Sequence, residues 1–244
     1  MLDETVYFKT IDSTNLEALR SREANMGRNV LFLTGEQSAG KGQKNRSWES
    51  KSGFGLWATL FIGRPDFLKF NLQLLSLYTG IVIQKSLLKI TGVTTQLKWP
   101  NDIMIEERKC GGILTEIQWT GAQPQSATIG MGLNIKHESQ DFSPKIRQAS
   151  TSLSMAGSGP VNQGALVDEI IHGFFDQAML LNQPDLLTKS WNKLAWKLNE
   201  QVDWQSGDRK ISGIFLGVNQ DGHAVMESGS LLETFSSGEI RWML

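Results

Sequence analysis

Apolar and polar positions change period several times along the chain, and each change predicts an element. Val6 to Thr10 alternates as a short strand does. Ser13-Thr14-Asn15 then supplies capping side chains, and Asn15 to Met26 reads as a helix with Leu16 and Leu19 on one face. Asn29 to Thr34 and Leu56 to Ile62 are apolar runs of strand length. Between them, Gly35 to Gly53 is polar, basic and rich in glycine, with no apolar period. A loop that long in a compact domain is usually functional or disordered. Phe67 to Leu88 has helical spacing and predicts the main helix. Asn71, Gln73, Gln84, Lys85 and Lys89 break the apolar-rich region from Phe67 to Ile90, so it is an amphipathic helix pattern and not a membrane span.

Leu97 to Trp119 reads as a hairpin. Pro100 fixes its own φ and removes a donor, so Trp99-Pro100-Asn101-Asp102 is a stiff bend between apolar runs. Ala127 to Ile135 is another strand, Pro144 to Gly159 a connection, and Val161 to Leu181 and Pro184 to Leu198 are helices. From Asn199 the texture becomes short strands separated by glycine turns, which predicts a small β-barrel. The expected fold class is α+β: a mixed sheet with helices over residues 1–198, then an all-β module over 199–244 with a small core of its own.

Composition narrows the function classes. A net charge of -1 gives no bulk attraction to nucleic acid. Cys110 is the only cysteine, so no internal disulfide forms and a reducing, cytoplasmic setting fits. The first ten residues carry acids and no long apolar core, unlike a signal peptide. His137, His172 and His223 have no ligand spacing, so no metal site is expected from the protein alone. No nucleophile elbow is present, and Cys110 has no evident base, which argues against covalent catalysis.

The candidate chemistry lies in the loops. Gln37 to Trp48 combines Gly40 and Gly42, which free the backbone to face an anion, with Lys41, Lys44 and Arg46. It is not a P-loop, because no G-K-[ST] leads into a helix. The bland alternative is a solvated basic loop. Trp48 weighs against it, being a poor surface residue but a good wall for a flat ring. Lys109 stands beside Gly111-Gly112, where a ligand can approach the backbone, and can serve as a point charge for phosphate or carboxylate. Ser13 and Thr14 offer hydroxyls to a polar ligand head, although helix capping accounts for at least one of them. Gly130-Met131-Gly132-Leu133-Asn134 alternates glycine along a strand, as either a ligand floor or a bulge.

Taken together, these blocks resemble the biotin–protein ligases. The resemblance rests on S-T-N at Ser13 to Asn15, G-K-G with W from Gly40 to Trp48, and K-W-P-N-D at Lys98 to Asp102. It continues through K-x-G-G-I-L-x-E at Lys109 to Glu116 and I-G-M-G-L-N at Ile129 to Asn134. Their order and separation fit across nearly the whole chain, and S-G-E-I at Ser237 to Ile240 anchors a tail similar to that family's small SH3-like domain. The resemblance implies a class II synthetase-like catalytic fold and a two-step reaction. Biotin and ATP, with Mg2+, give biotinyl-5'-AMP and pyrophosphate. A lysine of a biotin carboxyl carrier domain, part of a biotin-dependent carboxylase, then takes the biotin.

By carry-over, Ser13, Thr14, Asn15, Gln37, Gly40, Lys41, Lys109, Gly112 and Gly132 would line the biotin site. Gly42, Gln43, Lys44, Trp48, Asn101, Lys109 and Asn134 would border ATP. Lys109, Lys41 and Arg46 would be the catalytic cations. The loop departs from the family's frequent G-R-G-R-x-G: Lys41 loses the bidentate fork of arginine, Gln43 removes a charge, and Asn45 replaces a glycine. The S-T-N block begins at Ser13, which leaves no room for a helix-turn-helix. The expectation is therefore a ligase that binds no DNA and no membrane, with a homodimer left open. A lipoate or octanoate ligase or transferase is the nearest rival, and a non-catalytic biotin or nucleotide binder is the rival from another class.

Overall fold

The computed structural model describes residues 1–242, without the side chains of Asn45 and Trp242. Seven strands form the larger sheet: β1 (Glu4–Phe8), β2 (Asn29–Thr34), β3 (Gly55–Ile62), β4 (Gln96–Lys98), β5 (Asp102–Ile105), β6 (Arg108–Thr120) and β7 (Gln123–Asn134). Their order is β1-β2-β3-β7-β6-β5-β4, with β1 and β2 parallel and every other pair antiparallel. Four helices accompany them: α1 (Thr14–Arg20), α2 (Leu75–Thr91), α3 (Gln163–Asp176) and α4 (Pro184–Asn192). The expected α+β architecture is borne out.

The apolar runs at β2 and β3 have no polar face because both sides of the sheet are covered. Val30, Phe32 and Phe61 pack with Ala18 of α1 on one side. Their strand neighbours Leu31, Leu60 and Ile62 point the other way, into the main core with α2 and α3. Helix α2 is buried along most of its length, and Gly92 ends it in a left-handed conformation at φ 70°.

Element boundaries moved where local polar chemistry intervened. The main helix starts at Leu75, after two 3-10 turns at Phe67–Lys69 and Leu72–Leu74, because the Asn71 side chain accepts from the Gln73 N–H and Phe70 is extended. Helix α4 stops at Asn192 instead of Leu198. The chain beyond it pairs with β4: Leu97 N–H donates to the Leu194 carbonyl at 2.8 Å, and Trp196 N–H donates to the Leu97 carbonyl at 2.9 Å. The first and third helices also end early, each followed by a short 3-10 turn. The hairpin at Leu97 to Trp119 is three strands, and Lys109 is the second residue of β6 rather than a loop residue.

The tail forms a second antiparallel sheet from β8 (Gln201–Ser206), β9 (Arg209–Val218), β10 (Ala224–Ser228), β11 (Leu231–Phe235) and β12 (Glu239–Trp242), in the order β11-β10-β9-β8-β12. The sheet ends at β11 and β12, and no ladder joins them among the described residues, so it is not a closed barrel. Its core is not separate either. Val202, Phe215, Ala224 and Ile240 belong to one continuous cluster with α2 and α4. Trp191 of α4 meets Phe215 edge-on at 6.5 Å, and Trp99 donates to the Gly222 carbonyl at 3.0 Å. The Asn192 side chain donates to the Val218 carbonyl and accepts from its N–H, at 3.0 and 2.8 Å. Gly217, at φ 102°, lets the two segments approach that closely. No helix of the described residues is long and apolar enough to cross a membrane.

The shared core sets a stability prediction. Trp191→Ala empties a buried indole at the junction and should cost about 3–5 kcal/mol. Chemical denaturation with probes in both sheets should show one coincident transition at lower denaturant. A loss confined to the tail signal would contradict a single core.

Candidate active site

A cavity of about 710 Å³ opens between the basic loop, the glycine-rich faces of β6 and β7, the turn at Trp99–Asn101 and the end of β12. Most of the residues expected to act together line it: Thr14, Asn15, Gln37, Lys41, Gly42, Gln43, Lys44, Arg46, Trp48, Asn101, Lys109, Gly112, Gly132 and Asn134. Ser13 and Gly40 lie outside that lining. Ser13 sits at the N-cap of α1 but makes no side-chain cap, and its buried hydroxyl has no partner. Gly40 is a packing glycine, since a Cβ there would meet the Trp48 carbonyl oxygen at 2.5 Å.

The inner end is a web of uncharged polar groups. The Gln37 carbonyl oxygen accepts from the Thr14 N–H at 2.9 Å and the Thr14 hydroxyl at 3.2 Å, while its amide donates to Ser50 Oγ at 2.8 Å. The buried Thr59 hydroxyl lies 2.8 Å from both Thr14 Oγ1 and Asn15 Oδ1. The Asn15 amide Nδ2 has no partner, which leaves a donor available where polar groups line the wall. The basic loop is not free. Bridges at Gln37–Ser50 and Lys41–Ser47 fold it back on itself, and its left-handed turn falls at Lys44, φ 55°.

The middle is a glycine floor under an indole. A Cβ on Gly132 would meet the Trp48 ring at 2.7 Å, and one on Gly112 would meet Trp48 and Lys109 at 3.3 Å. These glycines are required by close approach and not by φ. Trp48 is held edge-on against Trp57 at 6.3 Å. Lys109 Nζ lies 5.3 Å from the Trp48 ring and 2.5 Å from Asp102 Oδ1. A solvated surface lysine is therefore the wrong description. Asn101 is a brace, its amide donating to the Ile113 carbonyl at 2.6 Å, and Asn134 donates to the Thr151 carbonyl at 3.0 Å. Thr151 N–H in turn donates to the Lys109 carbonyl at 2.9 Å, which draws the connection after β7 alongside the cavity.

The outer end is charged, and sequence reasoning missed most of it. Lys98, Asp102, Glu239, Arg241 and Trp196 all line the cavity. Glu239 Oε2 pairs with Arg46 at 2.8 Å and with Arg241 at 3.4 Å, tying the tail to the basic loop. Burial alone would raise the Glu239 carboxyl, but the hydrogen bond from Arg46 and the charges of Lys98, Arg46 and Arg241 bring it down to about 2. Burial pushes the Lys98 ammonium down, only partly offset by Asp102 and Glu239. Asp102 and Glu239 both stood inside quoted motifs. The signal overlooked was charge alternation along the last strand, which places Glu239 and Arg241 on one face.

The described residues contain no cluster of three or more His, Cys, Asp or Glu that could hold a metal ion. The two carboxylates at the outer end are already committed to cations.

Residues 7–134 match the biotin/lipoate A/B protein ligase family. The chain is 29% identical to the bifunctional ligase/repressor BirA of Escherichia coli, over 94% of this chain and 71% of that protein. It is 25% identical to the biotin–[acetyl-CoA-carboxylase] ligase of Paracoccus denitrificans, over 94% of this chain and 96% of that one. Among solved structures, the biotin protein ligase of Aquifex aeolicus in complex with biotin and ATP aligns over 98% of both chains. Its TM-score is 0.81 at 24% identity, a likeness of fold.

The Arg46–Glu239 link makes a pH prediction. A carboxyl lowered in the folded state stabilises it fully above its unfolded value near 4.5, and the gain disappears as pH falls toward 2. The stability difference between the wild type and Glu239→Gln should be largest at neutral pH and close progressively below about pH 4.5. A difference that grows on acidification would contradict the pairing.

Proposed function

The chain belongs to the biotin/lipoate A/B protein ligase family, and from that we infer that it joins biotin to ATP and passes the activated biotin to a protein lysine. The observation that carries this reading is the juxtaposition of three surfaces in one cavity: the polar web at Thr14 and Gln37, the glycine floor under Trp48, and the cations beyond Lys109. A flat, uncharged, hydrogen-bonding head with an apolar body and a terminal carboxylate fits that sequence of surfaces from inside to outside.

Roles follow from position. Thr14, Asn15 and Gln37 meet the polar head, with Ser13 supporting the turn that presents them. Gly112 and Gly132 let Trp48 seat directly on the sheet, and its ring is the apolar wall for the body and the nucleotide. Lys109 exchanges Asp102 for the biotin carboxylate and the α-phosphate. In the first step a carboxylate oxygen bonds to the α-phosphorus. The bond to the bridging oxygen breaks, and its electron pair leaves with pyrophosphate. Lys41 and Arg46 add positive charge where negative charge gathers. In the second step the amine of a carrier lysine attacks the acyl carbon, loses a proton and expels AMP. Gly42, Gln43, Lys44, Asn101 and Asn134 border the nucleotide in this reading. Magnesium enters as part of the ATP substrate.

The acceptor is a biotin carboxyl carrier domain in the cytoplasm. DNA is not a partner in this reading, since a net charge of -1 offers no electrostatic footprint for it. The tail takes part through Glu239 and Arg241 at the cavity mouth.

Pyrophosphate release in the presence of magnesium should require both ATP and biotin, with lipoate failing to replace biotin. Lys109→Ala should slow release roughly ten- to a hundredfold, the worth of one charged hydrogen bond, at an unchanged melting temperature. Release with lipoate alone would transfer the assignment to the rival acid. An unaffected Lys109→Ala enzyme would remove the lysine from the mechanism.

A further inference from the structure

Lys98 is the one member of the outer charged cluster that the mechanism above does not use. It ends β4 and lines the cavity. Among the described residues its side chain has no hydrogen-bond or ion-pair partner, and its ammonium lies over the face of Trp196, 5.5 Å from Nζ. Two carboxylates act on it, and both are taken. Asp102 holds Lys109 at 2.5 Å, and Glu239 holds Arg46 at 2.8 Å. The connected set is therefore Lys98, Lys109, Arg46 and Arg241 against Asp102 and Glu239, an excess of two positive charges. Arg46 and Arg241 are exposed, but Lys98 and Lys109 are partly buried. Partly buried ammonium groups short of counter-ions cost free energy, and they persist where a ligand supplies the missing negative charge.

The neighbours of the two lysines say which part of the ligand that is. Lys109 lies against Trp48 and the Gly112 backbone. Lys98 lies over Trp196 and feels the charges of Asp102, Lys109 and the tail's Glu239 and Arg241. With the biotin carboxylate and α-phosphate at Lys109, what extends beyond is the rest of the triphosphate. We propose that Lys98 grips the β- and γ-phosphates of ATP and stabilises pyrophosphate as it leaves, a catalytic role separate from that of Lys109. This deepens the biotin-ligase reading and rests on it. As the α-phosphorus bond breaks, negative charge moves onto the pyrophosphate oxygens. An ammonium without a competing partner is placed to meet it. Trp196 offers its ring face to Lys98 Nζ, and its ring nitrogen donates to the Glu106 carbonyl at 2.9 Å.

The test is biotin-dependent exchange of labelled pyrophosphate into ATP, run beside transfer from preformed biotinyl-5'-AMP to a carrier domain. Lys98→Met should weaken KM for ATP and for pyrophosphate, lower exchange, or both, by roughly ten- to a hundredfold. Biotin affinity and transfer from the preformed adenylate should stay within about twofold, because neither involves pyrophosphate. Lys98→Arg should recover most of the exchange. If methionine lowers the melting temperature appreciably, Lys98→Gln carries the same expectation. Unchanged exchange overturns the proposal, and so does an equal slowing of exchange and transfer. A wild-type protein with no biotin-dependent exchange would instead defeat the biotin reading itself, which keeps the two failures apart.

Discussion

Positive charge gathered with too few counter-ions is the constraint on which the site depends. Lys98, Lys109, Arg46 and Arg241 come from β4, β6, the basic loop and β12, segments far apart in sequence, and they meet around Asp102 and Glu239. Holding them together requires a rigid frame. The seven-stranded sheet supplies β4 and β6, and the shared core with the tail fixes β12. The tail is thus part of the electrostatic design, since Glu239 is both the counter-ion of the basic loop and a neighbour of Lys98.

A second constraint is space. Gly112 and Gly132 face each other across the β6–β7 ladder, and Trp48 rests on both. A side chain at Gly132 would displace the indole, and one at Gly112 would press on both Trp48 and Lys109. The ring, the floor and the lysine beside it form one unit, with the bracing bonds of Asn101 and Asn134 behind it. Uncharged recognition at the inner end and charge at the outer end are separated by this apolar step. The separation suits a reaction that joins an uncharged bicyclic head carrying a carboxylate to a polyphosphate.

Much of this was legible in the sequence where the residue type itself carries the geometry. Continuous apolar runs announced β2 and β3 because both faces of the sheet are covered. The blocks at Lys98 to Asp102 and Lys109 to Glu116 pointed to the site through their resemblance to the biotin–protein ligases, since a stiff bend and paired glycines alone also suit an ordinary hairpin. What was hidden depends on contacts distant in sequence. Helix α4 stops short because Leu194 and Trp196 are bonded to Leu97, nearly a hundred residues earlier. The independent tail core became a shared one through Trp191, Asn192 and Phe215. Ser13 at the start of α1 and Gly40 against the Trp48 carbonyl stand outside the cavity lining, a placement set by packing that motif spacing does not carry. Lys98 stands inside the K-W-P-N-D motif, but that its nearby carboxylates Asp102 and Glu239 are paired with Lys109 and Arg46 emerges only from the fold.

The central claim is that this cavity builds and holds a mixed anhydride of biotin and adenylate. Mass spectrometry of the small molecules released from the protein after incubation with ATP, magnesium and an equimolar mixture of biotin and lipoate tests it directly. The account predicts biotinyl-5'-AMP as the retained product, with no lipoyl counterpart. Recovery of lipoyl-5'-AMP, or of unreacted biotin and ATP alone, would contradict it.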